Sequence, residues 1–123
     1  MPQAWRLTMT FRRGDVVLLR FPHSDRKTIE KRPALVVQAN GLKTGIPQLV
    51  VAMISTNLSR LGHPSRVSIS LKDPLGAKSG LLADSVVLTD NLVTVLTKAI
   101  LRVLGRLSSM ASVDAALRHT LAL

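Results

Sequence analysis

Short apolar runs, each ended by proline, glycine or a charged segment, are the feature of this sequence that most restricts its fold. The runs are rich in valine, leucine and isoleucine and too short for typical helices, so they predict β-strands. The charged stretch at residues 22–31 has no apolar period and is predicted as a loop. The predicted strands are residues 16–21, 33–38, 48–54, 66–70, 85–89 and 102–107, with a further short strand at 94–96.

The C-terminal segment has a different periodicity. Apolar residues recur at helical spacing between Met110 and Leu121, and Ser108 or Ser109 can cap a helix that begins there. A single helical turn is also predicted at residues 97–101. Many short strands, long loops and one closing helix predict a mainly β fold with a C-terminal helix, built as a small, strongly curved β-barrel.

The strong positive charge restricts the partners of this protein. Seventeen Lys and Arg against seven Asp and Glu give a formal net charge of +10. A field of that sign attracts polyanions and speeds their encounter. Nucleic acid, an acidic protein and an anionic membrane surface are all partners that such a field would attract. Aromatic residues make up only 2% of the chain, which argues against RNA-binding platforms that stack bases on aromatic rings.

Other classes of protein are made less plausible by what the sequence lacks. Cysteine is absent, which excludes disulfides, thiol nucleophiles and sulfur-bound metals. The histidines and acids are scattered without metal-ligand spacing, so we expect neither a metal nor another cofactor. No apolar segment has the length of a membrane span or the form of a secretory signal, so we expect a cytoplasmic protein.

Arg32 is the strongest single candidate for a functional side chain. It closes the predicted charged loop and directly precedes a predicted buried strand, so its backbone is anchored while its guanidinium faces the loop. Ser55 and Thr56 lie at the end of the third predicted strand, and a guanidinium beside hydroxyls can bind an anion such as phosphate. The alternative is structural: Arg32 pairs with Glu30 or Asp90, and the hydroxyl residues only turn the chain.

Several segments also carry a recognisable pattern in a fixed order. They are residues 13–22 (RGDVVLLRFP), 31–37 (KRPALVV), 51–57 (VAMISTN), 85–90 (SVVLTD) and the ending at 105–118. In this order they resemble the MazF/PemK family of toxins from toxin–antitoxin systems. The resemblance covers residues 12–121 and implies an SH3-like curved β-barrel of the MazF/PemK/CcdB type. We therefore expect a single toxin domain at residues 11–123 behind an N-terminal extension at residues 1–10.

The resemblance also implies an activity. Members of the family are typically dimers that cleave single-stranded RNA at short sequences without a metal, by attack of the ribose 2′-OH on the adjacent phosphate. This protein is thereby expected to be the endoribonuclease toxin of a type II toxin–antitoxin system. Its positive charge adds the expectation of an acidic antitoxin as its partner.

The resemblance assigns roles to individual positions. Arg32 matches the catalytic Arg of the family's Arg-Pro motif. Ser55 and Thr56 fall where the family usually has Thr and Ser, so the order of the two hydroxyl residues is reversed here. Asp90 matches an acid implicated in RNA binding or catalysis, and His23 lies where some members place an RNA-binding His. Three basic residues complete the predicted binding surface, namely Arg26, Lys27 and Lys31.

The chain departs from the family pattern after Asp90, and other functions stay open. Val93 and Leu96 stand where the family usually has Arg and Asp. One alternative is a non-catalytic toxin that binds a protein, as the gyrase poisons of the CcdB group do. The other is an SH3-like RNA-binding module without turnover. The base that would deprotonate the 2′-OH is left open between His23 and Asp90.

Overall fold

The computed structural model describes residues 10–22 and 29–123, apart from the side chains of Pro22 and Arg60. In this part of the chain, six strands are followed by one α-helix, and two short 3-10 helices occur at Leu58–Arg60 and Thr97–Ala99. The helix α1 spans Ala111–Leu121. The strands are β1 (Asp15–Pro22), β2 (Ile29–Val36), β3 (Gln48–Ser55), β4 (Arg66–Ile69), β5 (Ser85–Leu96) and β6 (Ile100–Arg106).

The six strands form one antiparallel sheet in the order β4-β5-β3-β2-β1-β6. No pairing joins β4 to β6 within the described ranges, so hydrogen bonds do not close the sheet into a barrel. The segment before β5 lies against the edge strand β6, where the Arg106 N–H donates to the Lys78 carbonyl at 2.9 Å. The expected fold class, mainly β with a C-terminal helix in the SH3-like barrel class, is confirmed.

Both faces of the sheet carry apolar clusters. Successive side chains of a strand point to opposite faces, so Val16 and Leu35 join one cluster while Val17 and Val36 join the other. Helix α1 covers the first cluster and buries Val113 in it. Burial on both faces explains why the strand sequences are almost continuously apolar rather than alternating.

The second strand begins earlier than the sequence predicted. Residues 29–32 belong to β2 and not to a loop, and they pair with β1 through Glu30 opposite Phe21 and Arg32 opposite Leu19. Their side chains are exposed or half-buried. Because the apolar period is missing at such positions, the sequence pattern gave no strand signal there. The predicted loop at 22–31 is therefore wrong at both ends.

The predicted strands at 85–89 and 94–96 are one continuous strand, β5. The interruption between them is a bulge, since Met53 pairs with Leu88 whereas the preceding Ala52 pairs with Leu92. Residues 89–91 are thus extra residues on β5 with no partner in β3. The predicted turn after this strand is confirmed as the 3-10 helix Thr97–Ala99, which β6 follows directly.

The C-terminal helix is confirmed, but its N-cap is Met110, which makes no side-chain cap hydrogen bond, and not Ser108 or Ser109 as the sequence suggested. The Ser109 hydroxyl accepts a hydrogen bond from the Ala111 N–H at 3.1 Å and so satisfies one free donor of the first turn. The helix ends at Ala122, which adopts a left-handed φ of 57°. No helix that the structure describes is long and apolar enough to cross a membrane.

Candidate active site

A cavity of about 410 Å³ lies where β2, β3 and β5 adjoin, and we call it the polar cleft. Its polar wall is formed by Glu30 and Arg32 from β2, by Ser55 and Thr56 at the end of β3, and by Asn91 of the β5 bulge. The structure therefore brings together the three residues that the sequence proposed as a catalytic set. Their chemical roles stay a prediction.

The pairing of β2 with β3 explains this convergence. The register sets Ala34 opposite Met53 and Val36 opposite Val51. Continued toward the strand ends, the same register places Arg32 opposite Ser55. Residues two apart on a strand point to the same face, so Arg32 and Ser55 lie on the face of the paired residues Ala34 and Met53.

Arg32 is held loosely enough to bind a ligand. Its Nη2 lies 3.0 Å from Oε2 of Glu30, and its side chain is 54% exposed. An exposed ion pair of this kind contributes little to stability. A guanidinium has five N–H donors, so a contact through one nitrogen leaves donors for a bound anion. Arg32 does pair with Glu30, as the structural alternative proposed, and it does not pair with Asp90.

The two hydroxyl residues differ in their surroundings. The Ser55 hydroxyl accepts a hydrogen bond from the Asn57 N–H at 3.0 Å, which fixes its oxygen at the end of β3. Within the described part of the chain this hydroxyl donates to no group, so its proton can reach a ligand in the cleft. Thr56 is exposed and lines both the polar cleft and a second, neighbouring cavity.

The family of the chain follows from a comparison of its sequence with known families. The family model described as PemK-like, MazF-like toxin of type II toxin-antitoxin system matches residues 12–121. The chain belongs to this family. Among curated proteins, none matches the sequence.

Solved structures agree with the MazF-like fold. An endoribonuclease in complex with its cognate antitoxin, from Mycobacterial species, superposes with a TM-score of 0.71 at 22% identity, over 93% of this chain and 97% of that one. The Mycobacterium tuberculosis toxin MazF-mt6 gives a TM-score of 0.69 at 22% identity, over 89% and 97%. The MazE-MazF structure from Deinococcus radiodurans gives 0.71 at 19%, over 94% and 99%. At these identities the similarity establishes the fold.

Two polar residues of the polar cleft were not predicted from the sequence to be functional. Glu30 is the one carboxylate among the residues that line the cleft, and the sequence suggests it only as an ion-pair partner of Arg32. The sequence could have indicated a role for Glu30 through its spacing, since residues two apart on a strand, such as Glu30 and Arg32, lie on the same face. Asn91 reaches the cleft because of the β5 bulge, for which the sequence pattern gave no signal.

Asp90 does not line the polar cleft. Its carboxylate oxygens accept two hydrogen bonds from the guanidinium of Arg66, at 3.0 Å from Nε and 2.9 Å from Nη2. The Arg66 side chain is only 9% exposed, whereas that of Asp90 is 40% exposed. Hydrogen bonds from Arg66 hold the pKa of the Asp90 carboxyl below its ordinary value, while desolvation opposes the effect. A role of Asp90 in binding RNA stays a prediction.

The neighbouring Thr89 anchors the other side of the same bulge. It is fully buried, and its hydroxyl lies 2.6 Å from the Ser65 carbonyl, to which it donates. The same hydroxyl lies 2.8 Å from that of Thr120 in α1. The bulge that carries Asn91 into the cleft is therefore fixed both to the segment before β4 and to the C-terminal helix.

We expect the Asp90→Asn variant to lose about 1 kcal/mol of unfolding free energy at neutral pH, the upper end for partly exposed ion pairs. A carboxyl whose folded pKa is lowered stabilises the fold above its unfolded pKa of about 3.9 and ceases to do so as pH falls through the folded pKa. The difference between variant and wild type should therefore shrink below about pH 4. Urea denaturation at a series of pH values measures it.

The matched control for this prediction is Asp73→Asn, because Asp73 is exposed and its carboxylate forms no ion pair among the described residues. That variant should differ little from the wild type at any pH. A stability loss in Asp90→Asn that is as large in acid as at neutral pH would show that the carboxylate charge is not its cause.

None of the remaining predicted binding residues that the structure describes lines the polar cleft. His23, Arg26 and Lys27 lie outside the described residues. Lys31 lies in β2 instead of a loop, is exposed, and lines the second cavity. Val93 and Leu96, the departures from the family pattern, do not line the polar cleft. No group of three or more His, Asp or Glu residues within ranges 10–22 and 29–123 could hold a metal ion.

Proposed function

We propose that this toxin is a sequence-specific, metal-independent endoribonuclease that cleaves single-stranded mRNA in the cytoplasm. The observation that carries the proposal is the polar cleft, in which Arg32, Ser55, Thr56 and a carboxylate line one cavity. Membership of the PemK-like, MazF-like toxin family supports it. The similar Mycobacterial structure, an endoribonuclease with its cognate antitoxin, supports it further.

In the proposed reaction, the ribose 2′-oxygen attacks the adjacent phosphorus and the bond from phosphorus to the 5′-oxygen breaks. The products are a 2′,3′-cyclic phosphate and a 5′-hydroxyl end. The pentavalent phosphorane carries more negative charge on its oxygens than the ground state does. Donors from Arg32 and Ser55 therefore stabilise the transition state more than the bound substrate, which is the condition for catalysis.

The proton of the attacking 2′-OH needs an acceptor. Arg32 cannot serve, because a guanidinium stays protonated in proteins. The Asp90 carboxylate does not line the polar cleft, whereas Glu30 does, and its Oε2 lies 3.0 Å from Nη2 of Arg32. We assign the role of general base to Glu30. The departing 5′-oxygen takes its proton from solvent, which reaches the exposed end of the cleft.

The two hydroxyl residues should contribute unequally. Ser55 is oriented by the Asn57 N–H and lies across from Arg32, so we expect Ser55→Ala to lower kcat by about 10- to 100-fold, less than the loss of a full oxyanion donor. Thr56 is exposed, so Thr56→Ala should cost less. Single-turnover cleavage of one RNA by both variants measures the difference. Full activity in both would remove the hydroxyls from the mechanism.

We also propose an acidic antitoxin and a second copy of this chain as partners. The net charge of +10 favours an acidic, partly disordered segment that folds along the basic surface. The edge strand β6 exposes Leu101 and Val103, and a dimer would cover such apolar surface. Light scattering should give about twice the chain mass of 13.3 kDa, and a mass near one chain would contradict the dimer.

Incubation of the purified protein with a long single-stranded RNA in EDTA tests the proposed function. Cuts at defined positions support the endoribonuclease. Retarded but intact RNA would favour the binding module instead. RNA that is neither cut nor retarded would favour a toxin that acts by binding a protein.

A further inference from the structure

A second cavity, of about 340 Å³, adjoins the polar cleft, and we call it the apolar pocket. Pro33 and Thr56 line both cavities, so the two adjoin at these residues. The remaining floor of the apolar pocket is formed by the apolar side chains Leu18, Leu81 and Leu104. Its volume falls within the usual range of small-molecule sites, about 300–1,000 Å³.

The wall of the apolar pocket depends on a close approach of two backbone segments. Gly80 has a φ of 75°, and a Cβ at this position would overlap the carbonyl oxygen of Leu104 in β6. The hydrogen bond from the Arg106 N–H to the Lys78 carbonyl holds the same two segments together. The segment that follows, with Leu81 and Ala83, is thereby set over the floor of the pocket.

The charged residues of the apolar pocket are both cations, Lys31 and Arg102, and no carboxylate lines it. Both cations are exposed. Ser85 is buried, and its hydroxyl donates to the Ala83 carbonyl at 2.8 Å, so this donor is already satisfied. The pocket thus combines an apolar interior with a positive rim.

We propose that the apolar pocket binds the nucleobase of a nucleotide next to the scissile phosphate, an inference that rests on the proposed endoribonuclease function. The two adjoining cavities match the two parts of one nucleotide. The polar cleft offers donors for the phosphate, and the apolar pocket offers a surface for the face of the base. Single-stranded RNA exposes such unstacked bases, and Lys31 and Arg102 can contact the flanking phosphates.

The test combines a variant of the protein with a change in the RNA. Ala83 is exposed at the pocket wall, so Ala83→Phe should fill the pocket without disturbing the core. On an oligonucleotide that contains a mapped cleavage site, Ala83→Phe should raise KM by about 10-fold, in the range that loss of one stacked base produces. Replacing one base beside the scissile phosphate by an abasic residue should raise the KM of the wild type similarly.

The decisive result is the combination of the two changes. If the base occupies the pocket, the abasic substitution at that position should have no further effect on Ala83→Phe, since the contact is already lost. The inference would be overturned if the effects of Ala83→Phe and of an abasic residue on KM multiply at both positions that flank the scissile phosphate. Ala77→Phe is the matched control, because Ala77 is an exposed alanine in the same connecting segment and lines neither cavity.

Two further outcomes distinguish a failure of this inference from a failure of the proposed endoribonuclease function. A wild-type protein that cuts no RNA would refute the proposed function itself. A wild type that cuts RNA, together with an Ala83→Phe variant that keeps its KM but loses affinity for the antitoxin, would identify the pocket as a protein-binding site and overturn the inference alone.

Arg102→Gln should also raise KM, whereas Lys98→Gln, which removes an exposed cation outside both cavities, should not.

Discussion

Replacement of Arg32 by Ala is expected to lower kcat for RNA cleavage by about 100-fold or more, the cost of losing one donor to a developing oxyanion. Arg32 and Ser55 line the same polar cleft, where the guanidinium would stabilise the phosphorane more than the ground-state phosphate. RNA binding should weaken much less, because the chain has 17 Lys and Arg residues in all. Single-turnover kinetics with saturating protein separate the two quantities.

Two further variants sharpen the expectation for Arg32. Arg32→Lys should restore only part of the rate, since a point charge cannot reproduce the planar fork of a guanidinium. Arg118→Ala removes an exposed guanidinium of α1 outside both cavities and should leave the rate unchanged. Cleavage by Arg32→Ala at a rate near that of the wild type would rule out the assigned role.

The second large effect is expected for Glu30→Gln. A general base contributes typically about 100- to 10,000-fold, so kcat should fall by at least about 100-fold while KM changes little. The variant should also lose the rise of kcat/KM with pH that deprotonation of a carboxylate base produces. Rate measurements from acid to neutral pH test both statements.

Glu30 also contacts Arg32, so a purely positioning role has to be separated from proton transfer. Loss of positioning alone would lower the rate equally at every pH and leave the shape of the profile unchanged. Asp73→Asn, an exposed carboxylate outside the cleft, is the control and should behave as the wild type. An unchanged pH profile in Glu30→Gln would exclude Glu30 as the base.

The fold could be predicted largely because the strands are buried on both faces. Runs such as 48–54 need apolar residues at nearly every position, and this pattern is readable from the sequence alone. The start of β2 could not be read in this way, since Glu30 and Arg32 lie on its exposed part. There, pairing with β1 rather than side-chain burial determines the strand.

The candidate site was predictable in part for a similar reason. Arg32 and Ser55 lie in β2 and β3, close to the buried residues of these strands, so their convergence follows from strand pairing. The contact between Arg66 and Asp90 joins residues 24 positions apart and depends on a bulge, which no local pattern reveals. For the same reason the sequence did not indicate that Asn91 lines the cleft.

The central claim is that this protein cleaves RNA by attack of the substrate's own 2′-hydroxyl. The most direct measurement uses two synthetic oligonucleotides with the same mapped cleavage site, one of which carries a single 2′-deoxy nucleotide immediately 5′ of the cut. Cleavage of the all-ribose strand in EDTA should yield a 2′,3′-cyclic phosphate end, and the 2′-deoxy strand should remain intact while it still binds. Cleavage of the 2′-deoxy strand at the same position would contradict the mechanism.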